Sequence, residues 1–286
     1  MFGLLNLNKP VGLSSAAALG RIKRLVRPAK IGHAGTLDPI ASGVLVACIG
    51  PATRLVDYIQ KMSKSYRATF LLGRSSDSDD IERPVVELPN PPIPTRGEVE
   101  RAASAFLGRI EQRPPAFSAL KIAGRPAYQL ARRGRDVTLA PRTVEIHRIT
   151  VARHDYPAVV LDIDCGSGTY VRALGRDLAQ SLGTAAVMSA LERTAIGRFR
   201  VEDACDPAQL TAETLPRPLL SARLAIPEMP TVELNDGEIE RAINGIVVPL
   251  RQETARASKG QEFAAIDCHG ELVSIMLLRA DGGLAP

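Results

Sequence analysis

A histidine, an aspartate and several glycines are concentrated in residues 32–43, which read Gly-His-Ala-Gly-Thr-Leu-Asp-Pro-Ile-Ala-Ser-Gly. Glycine permits positive φ angles and close approach of the backbone to a ligand, and Pro39 fixes φ directly after Asp38. Asp38 is therefore predicted to lie on a stiffened loop, where its carboxylate is available for nucleophilic or proton-transfer chemistry. Glycine, aspartate and proline are also ordinary turn residues, so the spacing alone favours a plain turn just as much.

Two other kinds of site are excluded by the same stretch. No Gly-Lys-Ser or Gly-Lys-Thr follows the glycines, so it is not a phosphate-binding P-loop, and His33 has no second zinc ligand at helical spacing. The four cysteines are scattered without a Cys-x-x-Cys pair. This pattern indicates reduced, mostly structural thiols and neither a disulfide framework nor a zinc site.

Charge is distributed unevenly along the chain. The net charge is +5, but residues 202–286 hold 14 acidic and 7 basic side chains, which leaves +12 for residues 1–201. The densest basic cluster, 108–153, has 10 basic and 3 acidic side chains. A basic body suits a polyanionic ligand. Because the chain has no tryptophan and only 4% aromatic residues, recognition is expected to use phosphate contacts and a few placed rings.

Local patterns predict the elements that must position Asp38. Ser14 or Ser15 caps a helix that Pro28 ends, and the apolar run 44–50 is typical of a buried strand directly after the Asp38 loop. Further elements are predicted as a strand at 65–72, an antiparallel pair at 143–151 and 159–165, a helix at 170–182 and a strand at 188–199.

The acidic segment 76–80, Ser-Asp-Ser-Asp-Asp, is a further candidate for metal binding. It lacks the glycine and the distal glutamate of a calcium-binding EF-hand loop. We therefore predict a solvated loop here, and we expect no metal.

The pattern changes near residue 229 to short strands, one helix and a hairpin spanning 262–278. We therefore predict a large domain at 1–228 and a small β-rich domain at 229–286. No apolar run approaches the length needed to span a bilayer, and the first residues lack the features of a signal peptide. These features predict a cytoplasmic protein that does not associate with membranes.

The stretch 32–43 resembles the Gly-His-x-Gly-x-Leu-Asp-Pro-x-Ala-x-Gly signature of the TruB family of tRNA pseudouridine synthases. Four other blocks that resemble this family follow the family order and extend the resemblance over nearly the whole chain. They are Asn-Lys-Pro-Val-Gly at 8–12, Lys-Ser-Tyr-Arg at 64–67, Pro-Ala-Phe-Ser-Ala-Leu-Lys at 115–121 and Gly-Thr-Tyr-Val-Arg at 168–172.

The resemblance implies an α+β fold. A large mixed catalytic domain would be built on a mostly antiparallel sheet with flanking helices, and a small PUA-like domain would follow it.

The resemblance also implies roles for individual residues. Asp38 would be the catalytic aspartate, Arg172 would pair with it through a forked hydrogen bond, and Tyr66 would stack on the target uracil and handle its C5 proton. The residues that would contact the substrate besides Tyr66 are His33, Tyr170, Leu191 and Lys121. Two positions depart from the common pattern, with Ala34 in place of a threonine and Glu192 in place of an arginine.

The implied activity converts uridine 55 in the T loop of tRNA to pseudouridine after the base has been flipped out of the loop. It needs no cofactor, no metal and no guide RNA, and a monomer is expected. Two other classes of function stay open. One is a non-catalytic factor that binds or folds tRNA, and the other is a guide-RNA-dependent modifier working within a larger complex.

Overall fold

The structure is a computed structural model that describes residues 1–118, 120–122, 124–131, 139–249 and 258–286. The helices are α1 (Ser15–Leu25), α2 (Val56–Lys61), α3 (Arg96–Ser104), α4 (Ala127–Ala131), α5 (Val171–Ser181) and α6 (Asp236–Ile243). The strands of the first 228 residues are β1 (Gly3–Lys9), β2 (Ile31–His33), β3 (Ala41–Ile49), β4 (Lys64–Leu72), β5 (Arg74–Ser75), β6 (Val86–Glu87), β7 (Gly108–Gln112), β8 (Lys121–Ile122), β9 (Arg125–Pro126), β10 (Arg142–Asp155), β11 (Ala158–Cys165), β12 (Ala186–Ile196) and β13 (Phe199–Arg200). The later strands are β14 (Thr231–Glu233), β15 (Val248–Pro249), β16 (Glu262–Ile266), β17 (Leu272–Leu278) and β18 (Gly283–Ala285).

A large sheet organises the first part of the chain, and seven of its strands run in the order β1-β3-β12-β4-β11-β10-β7. β2 adds to β3 and β13 adds to β12. All pairs are antiparallel except β3 with β12, which run parallel over the three residue pairs from Leu191 opposite Ala41 to Arg193 opposite Gly43. The predicted α+β fold on a mostly antiparallel sheet is confirmed.

Helix α5 packs on this sheet through a glycine. A Cβ atom at Gly175 would lie 1.9 Å from Cε1 of Phe70 on β4, so only glycine allows this approach. The buried apolar side chains of α5, among them Leu174 and Leu178, join those of β4, β11 and β12 in one core. Close packing here sets the position of the first turn of α5, which carries Arg172.

The C-terminal residues form a second sheet of five strands in the order β14-β16-β17-β18-β15. Its apolar side chains Ala264 and Leu272 belong to the same buried cluster as Ala222 and Ala225 of the preceding segment. The β-rich character predicted for the C-terminal part is confirmed, and the boundary at 228/229 stays a prediction. In the described part of the chain, every helix is too short or too polar to cross a membrane.

Candidate active site

The Asp38 loop connects β2 to β3 and is held by hydrogen bonds on both sides of the aspartate. The buried Ser15 hydroxyl accepts from the Leu37 N–H at 2.8 Å and lies 3.0 Å from the Leu37 carbonyl, to which it donates. On the other side, the Gly12 N–H donates to the Pro39 carbonyl at 2.8 Å. These contacts attach the loop to the start of α1, so the position of Asp38 is set before any ligand binds.

Arg172 faces Asp38 from the first turn of α5. Its Nη2 lies 3.1 Å from Oδ2 of Asp38, and the arginine side chain is only 5% exposed. The guanidinium donates to the carbonyls of Ser78 at 2.7 Å and Phe117 at 2.9 Å. Arg172 therefore faces Asp38 through the contact from Nη2 to Oδ2 while two backbone carbonyls hold its guanidinium, and the forked hydrogen bond to Asp38 stays a prediction.

The acidic segment 76–80 is not a solvated loop, and that prediction is wrong. Asp80 is 1% exposed, and its Oδ2 lies 3.2 Å from Nη1 of Arg172. Asp79 pairs with Arg176, one helical turn further along α5, at 2.9 Å. The two arginines provide the positive charge that allows these carboxylates to leave water, since a buried charge requires a partner.

A cavity of about 350 Å³ lies next to Asp38 and Arg172. Residues from six separate parts of the chain line it. Those predicted from the resemblance are Asp38, Tyr66, Tyr170, Arg172 and Leu191, and those not predicted include Lys64, Arg142 and Arg193. Its volume falls within the range of about 300–1,000 Å³ usual for small-ligand pockets.

Tyr66 is the third residue of β4, and it lines this cavity. Its residue partner on β12 is Arg193, and its partner on β11 is Ile163. Burial raises the pKa of the Tyr66 phenol, whereas the charge and the side-chain hydrogen bond of Arg193 act in the opposite direction. The hydroxyl thus lies beside a cation that favours its ionised form.

Tyr170 is held at the start of α5 by Gln112. The Tyr170 N–H donates to Oε1 of Gln112 at 2.8 Å, and Nε2 of Gln112 donates to the Tyr170 carbonyl at 3.0 Å. The guanidinium carbon of Arg142 lies 4.7 Å from the centre of the Tyr170 ring, a cation–π distance. The ring is therefore placed as one wall of the cavity.

Two buried lysines near the site had no predicted role, although both lie in the blocks that carry the resemblance. Nζ of Lys9 donates to the carbonyls of Pro10 at 2.9 Å and Leu13 at 2.6 Å. Burial lowers the pKa of Lys9 to about 8 even though Asp38 opposes the shift, and burial likewise lowers the pKa of Lys64 to about 8. The sequence feature that could have identified both lysines is their position within the blocks 8–12 and 64–67.

The sequence model described as TruB family pseudouridylate synthase (N terminal domain) matches residues 23–171. The chain belongs to the TruB family. Relatives support the assignment over nearly the full length. A tRNA pseudouridine synthase B of Dehalococcoides mccartyi (strain CBDB1) is 35% identical over 100% of this chain and 95% of its own, and one of Arthrobacter sp. (strain FB24) is 43% identical over 82% of this chain and 78% of its own.

Solved structures agree with this TruB-family fold. A Cbf5-Nop10-Gar1 complex contains a chain with a TM-score of 0.71 and 26% identity, covering 97% of this chain and 78% of that one. A chain of an H/ACA RNP bound to a substrate RNA has the same TM-score at 23% identity, covering 97% of this chain and 78% of its own, and shows the fold alone.

Of the remaining predicted substrate-contacting residues, His33 lines a different cavity, and Lys121 is described only in its backbone. His33 lines a second cavity of about 920 Å³, which shares Asp38 and Arg172 with the first. Burial, followed by the charge of Arg193, lowers the pKa of His33. The backbone of Lys121 belongs to β8, and its side chain lies outside the described part of the structure.

The two departures from the common TruB pattern lie away from the first cavity. Ala34 is fully buried in an apolar cluster with Leu4 and Val44. Glu192 is opposite Arg67 in the β12–β4 register, and its two chain neighbours, Leu191 and Arg193, both line the cavity. Since neighbouring residues of a strand face opposite sides of a sheet, Glu192 lies on the face away from the cavity.

Metal ligands are not grouped in this TruB-family site. Across residues 1–118, 120–122, 124–131, 139–249 and 258–286, no three or more His, Cys, Asp or Glu side chains are arranged to hold an ion.

Proposed function

We propose that this protein converts a uridine of tRNA to pseudouridine, that the target is position 55 in the T loop, and that Asp38 is the reactive carboxylate. The observation that carries the proposal is the Asp38–Arg172 pair, 3.1 Å apart, at the edge of a cavity lined by Tyr66, Tyr170 and Leu191. The family relationship supports it independently.

The reaction breaks the bond between uracil N1 and ribose C1′ and forms one between C5 and C1′. The C5 hydrogen leaves as a proton and N1 gains a proton, so no electrons and no water are consumed overall. Attack by Asp38 on the ribose and abstraction of a ribose proton both require the ionised carboxylate. Arg172 lies 3.1 Å from that carboxylate and orients it toward the cavity.

The detached uracil must be held while it turns. Tyr66 and Tyr170 offer ring faces and Leu191 an apolar contact, all within one cavity. Because a base stacked inside folded RNA cannot reach such a cavity, the nucleotide is extruded before it reacts. The Gln112 side chain holds the Tyr170 backbone, and the carbonyls of Ser78 and Phe117 hold the Arg172 guanidinium.

The proposed partner is the T stem-loop of tRNA, bound by a monomer without guide RNA in the cytoplasm. The relatives matched over nearly the full chain are named as tRNA enzymes. A Cbf5-Nop10-Gar1 complex is among the structural neighbours, so guide-dependent modification within a larger complex is the second candidate. Activity of the purified chain on free RNA separates the two.

The test is incubation of dialysed protein with a short unmodified T-stem-loop RNA, with and without EDTA, followed by pseudouridine mapping. We expect conversion at position 55 under both conditions, because the groups assigned to the site are a carboxylate, an arginine and two tyrosines. A stem-loop with cytidine at that position is the control. Absence of conversion would contradict the proposal, and loss under EDTA that one metal restores would reveal an ion in the site.

Binding to tRNA should weaken as salt increases, because residues 1–201 carry the excess positive charge. The basic cluster 108–153 contains Lys121 and Arg132, which we expect to contact phosphates; the side chain of Lys121 and the whole of Arg132 lie outside the described residues. Replacing either by alanine should reduce the slope of log affinity against log salt by about 0.7–0.9. Lys23→Ala on the exposed side of α1 is the control, and an unchanged slope in the test variants would place the RNA elsewhere.

A further inference from the structure

Arg193 is a buried cation on β12, two residues beyond Leu191, and it has no role in the function proposed above. Its residue is 2% exposed. Nε donates to the Val44 carbonyl at 2.8 Å, and Nη2 donates to the Gly35 carbonyl at 3.0 Å. These two carbonyls flank the Asp38 loop, so one side chain is attached to both ends of the segment that carries the reactive carboxylate.

Gly43 lets β3 approach the backbone of Arg193 closely. A Cβ at Gly43 would lie 2.3 Å from the Arg193 carbonyl oxygen, so only glycine allows this approach. Gly35 and Gly43 both have φ near +96°, a region that favours glycine, although a Cβ at Gly35 would be at an ordinary contact distance of 3.5 Å from Nη1 of Arg193.

Arg193 also faces the other residue assigned to the reaction. It lies opposite Tyr66 in the β12–β4 register, both residues line the same cavity, and the charge of Arg193 acts on the Tyr66 phenol. The other charged or titratable groups that act on Tyr66 are Asp38 and the Cys165 thiol. Lys64 and Arg172, together with Arg142, line the same cavity.

We propose that Arg193 is a positioning residue that fixes the Tyr66 hydroxyl relative to the Asp38 loop. The inference rests on the proposed function, because it assigns Arg193 to the same reaction. Arginine is needed since its planar guanidinium donates to the Val44 carbonyl from Nε and to the Gly35 carbonyl from Nη2 while it faces Tyr66 across the strand pair. A lysine has one nitrogen and cannot reproduce this arrangement. The cation also favours the phenolate of Tyr66, the form able to accept a proton.

The first test is an ultraviolet titration of tyrosine, which needs no tRNA and no activity. The chain has five tyrosines and no tryptophan, so tyrosinate absorbance is measured without indole interference. Subtracting the titration of Tyr66→Phe isolates the signal of Tyr66, and the same subtraction is made in the Arg193→Gln and Arg193→Lys backgrounds. Arg198→Gln, an exposed position on the turn after β12, is the control.

We expect the fraction of Tyr66 ionised at one fixed alkaline pH to fall in Arg193→Gln, to fall less in Arg193→Lys, and to remain unchanged in Arg198→Gln. In single-turnover assays, Arg193→Lys should be slower by roughly 10-fold and Arg193→Gln by roughly 100-fold, the scale of misplacing a reacting group by about 1 Å. The tRNA dissociation constant should stay close to that of the parent. Circular dichroism identifies any variant that fails to fold. If Arg193→Gln is unfolded, the titration and rate of Arg193→Lys, which keeps the charge, test the inference.

A Tyr66 titration identical to that of the parent in a folded Arg193 variant would overturn the inference, whether or not the protein modifies tRNA. Equal rate losses from Arg193→Lys in the parent and in the Tyr66→Phe background would also overturn it, because they would show action independent of the hydroxyl. Failure of the proposed function has a different signature. The parent protein would then form no pseudouridine, while the Tyr66 titration would still differ between the parent and the Arg193 variants.

Discussion

Replacing Asp38 with asparagine will abolish pseudouridine formation while tRNA binding persists. The amide is nearly isosteric with the carboxylate, but it is neither a useful nucleophile nor a base, so a loss of at least about 10³-fold in single-turnover rate is expected. The side chain is 38% exposed and pairs with Arg172 through one contact at 3.1 Å, so its loss removes little packing. Rates are measured by pseudouridine mapping and affinity by filter binding.

The control for this variant is Asp162→Asn. Asp162 pairs with the exposed Arg67 at 2.8 Å, next to the Tyr66–Ile163 register pair but on the opposite face of the sheet. An exposed pair contributes about 0–1 kcal/mol to stability, so this variant should fold and turn over like the parent. Near-parental turnover by Asp38→Asn would remove Asp38 from the mechanism.

Replacing Tyr66 with phenylalanine will slow turnover by roughly 10²–10⁴-fold, the usual contribution of a positioned proton-transfer group. The ring remains available to stack on uracil, and the hydroxyl, which lies beside Arg193, is lost. The dissociation constant for tRNA should therefore change little. Single-turnover rates and binding isotherms on the same T-stem-loop separate the two effects.

Tyr58→Phe is the matched control, because it removes a hydroxyl that donates to Glu262 at 2.8 Å in an exposed position outside the cavity. It should leave turnover unchanged. If Tyr66→Phe were as active as the parent, the C5 proton would have to be handled by another group, and the inference about Arg193 would lose its chemical purpose.

The sequence by itself determined the features that depend on local pattern. Alternating and continuous apolar runs identified β3, β4, β10 and β11. A strand with one buried face has an apolar side chain at every second residue, and a strand with both faces buried has a continuous apolar run. The ordered blocks of glycine, proline and polar residues indicated the family and the neighbourhood of Asp38. The cap predicted at Ser14 or Ser15 likewise identified α1, whose N-cap is Ser14, since a capping hydroxyl satisfies a free backbone donor of the first turn.

Only the tertiary structure decided which charged groups are buried and what they contact. Nothing local to the segment 76–80 indicates that Asp80 leaves water, because its partner Arg172 lies on a helix more than ninety positions away. Arg193 was unremarkable in sequence, and its contacts with Gly35, Val44 and Tyr66 arise from strands paired across the sheet. A charge is stable inside a protein only when partners from other elements converge on it, and that convergence is a property of packing and not of any one segment.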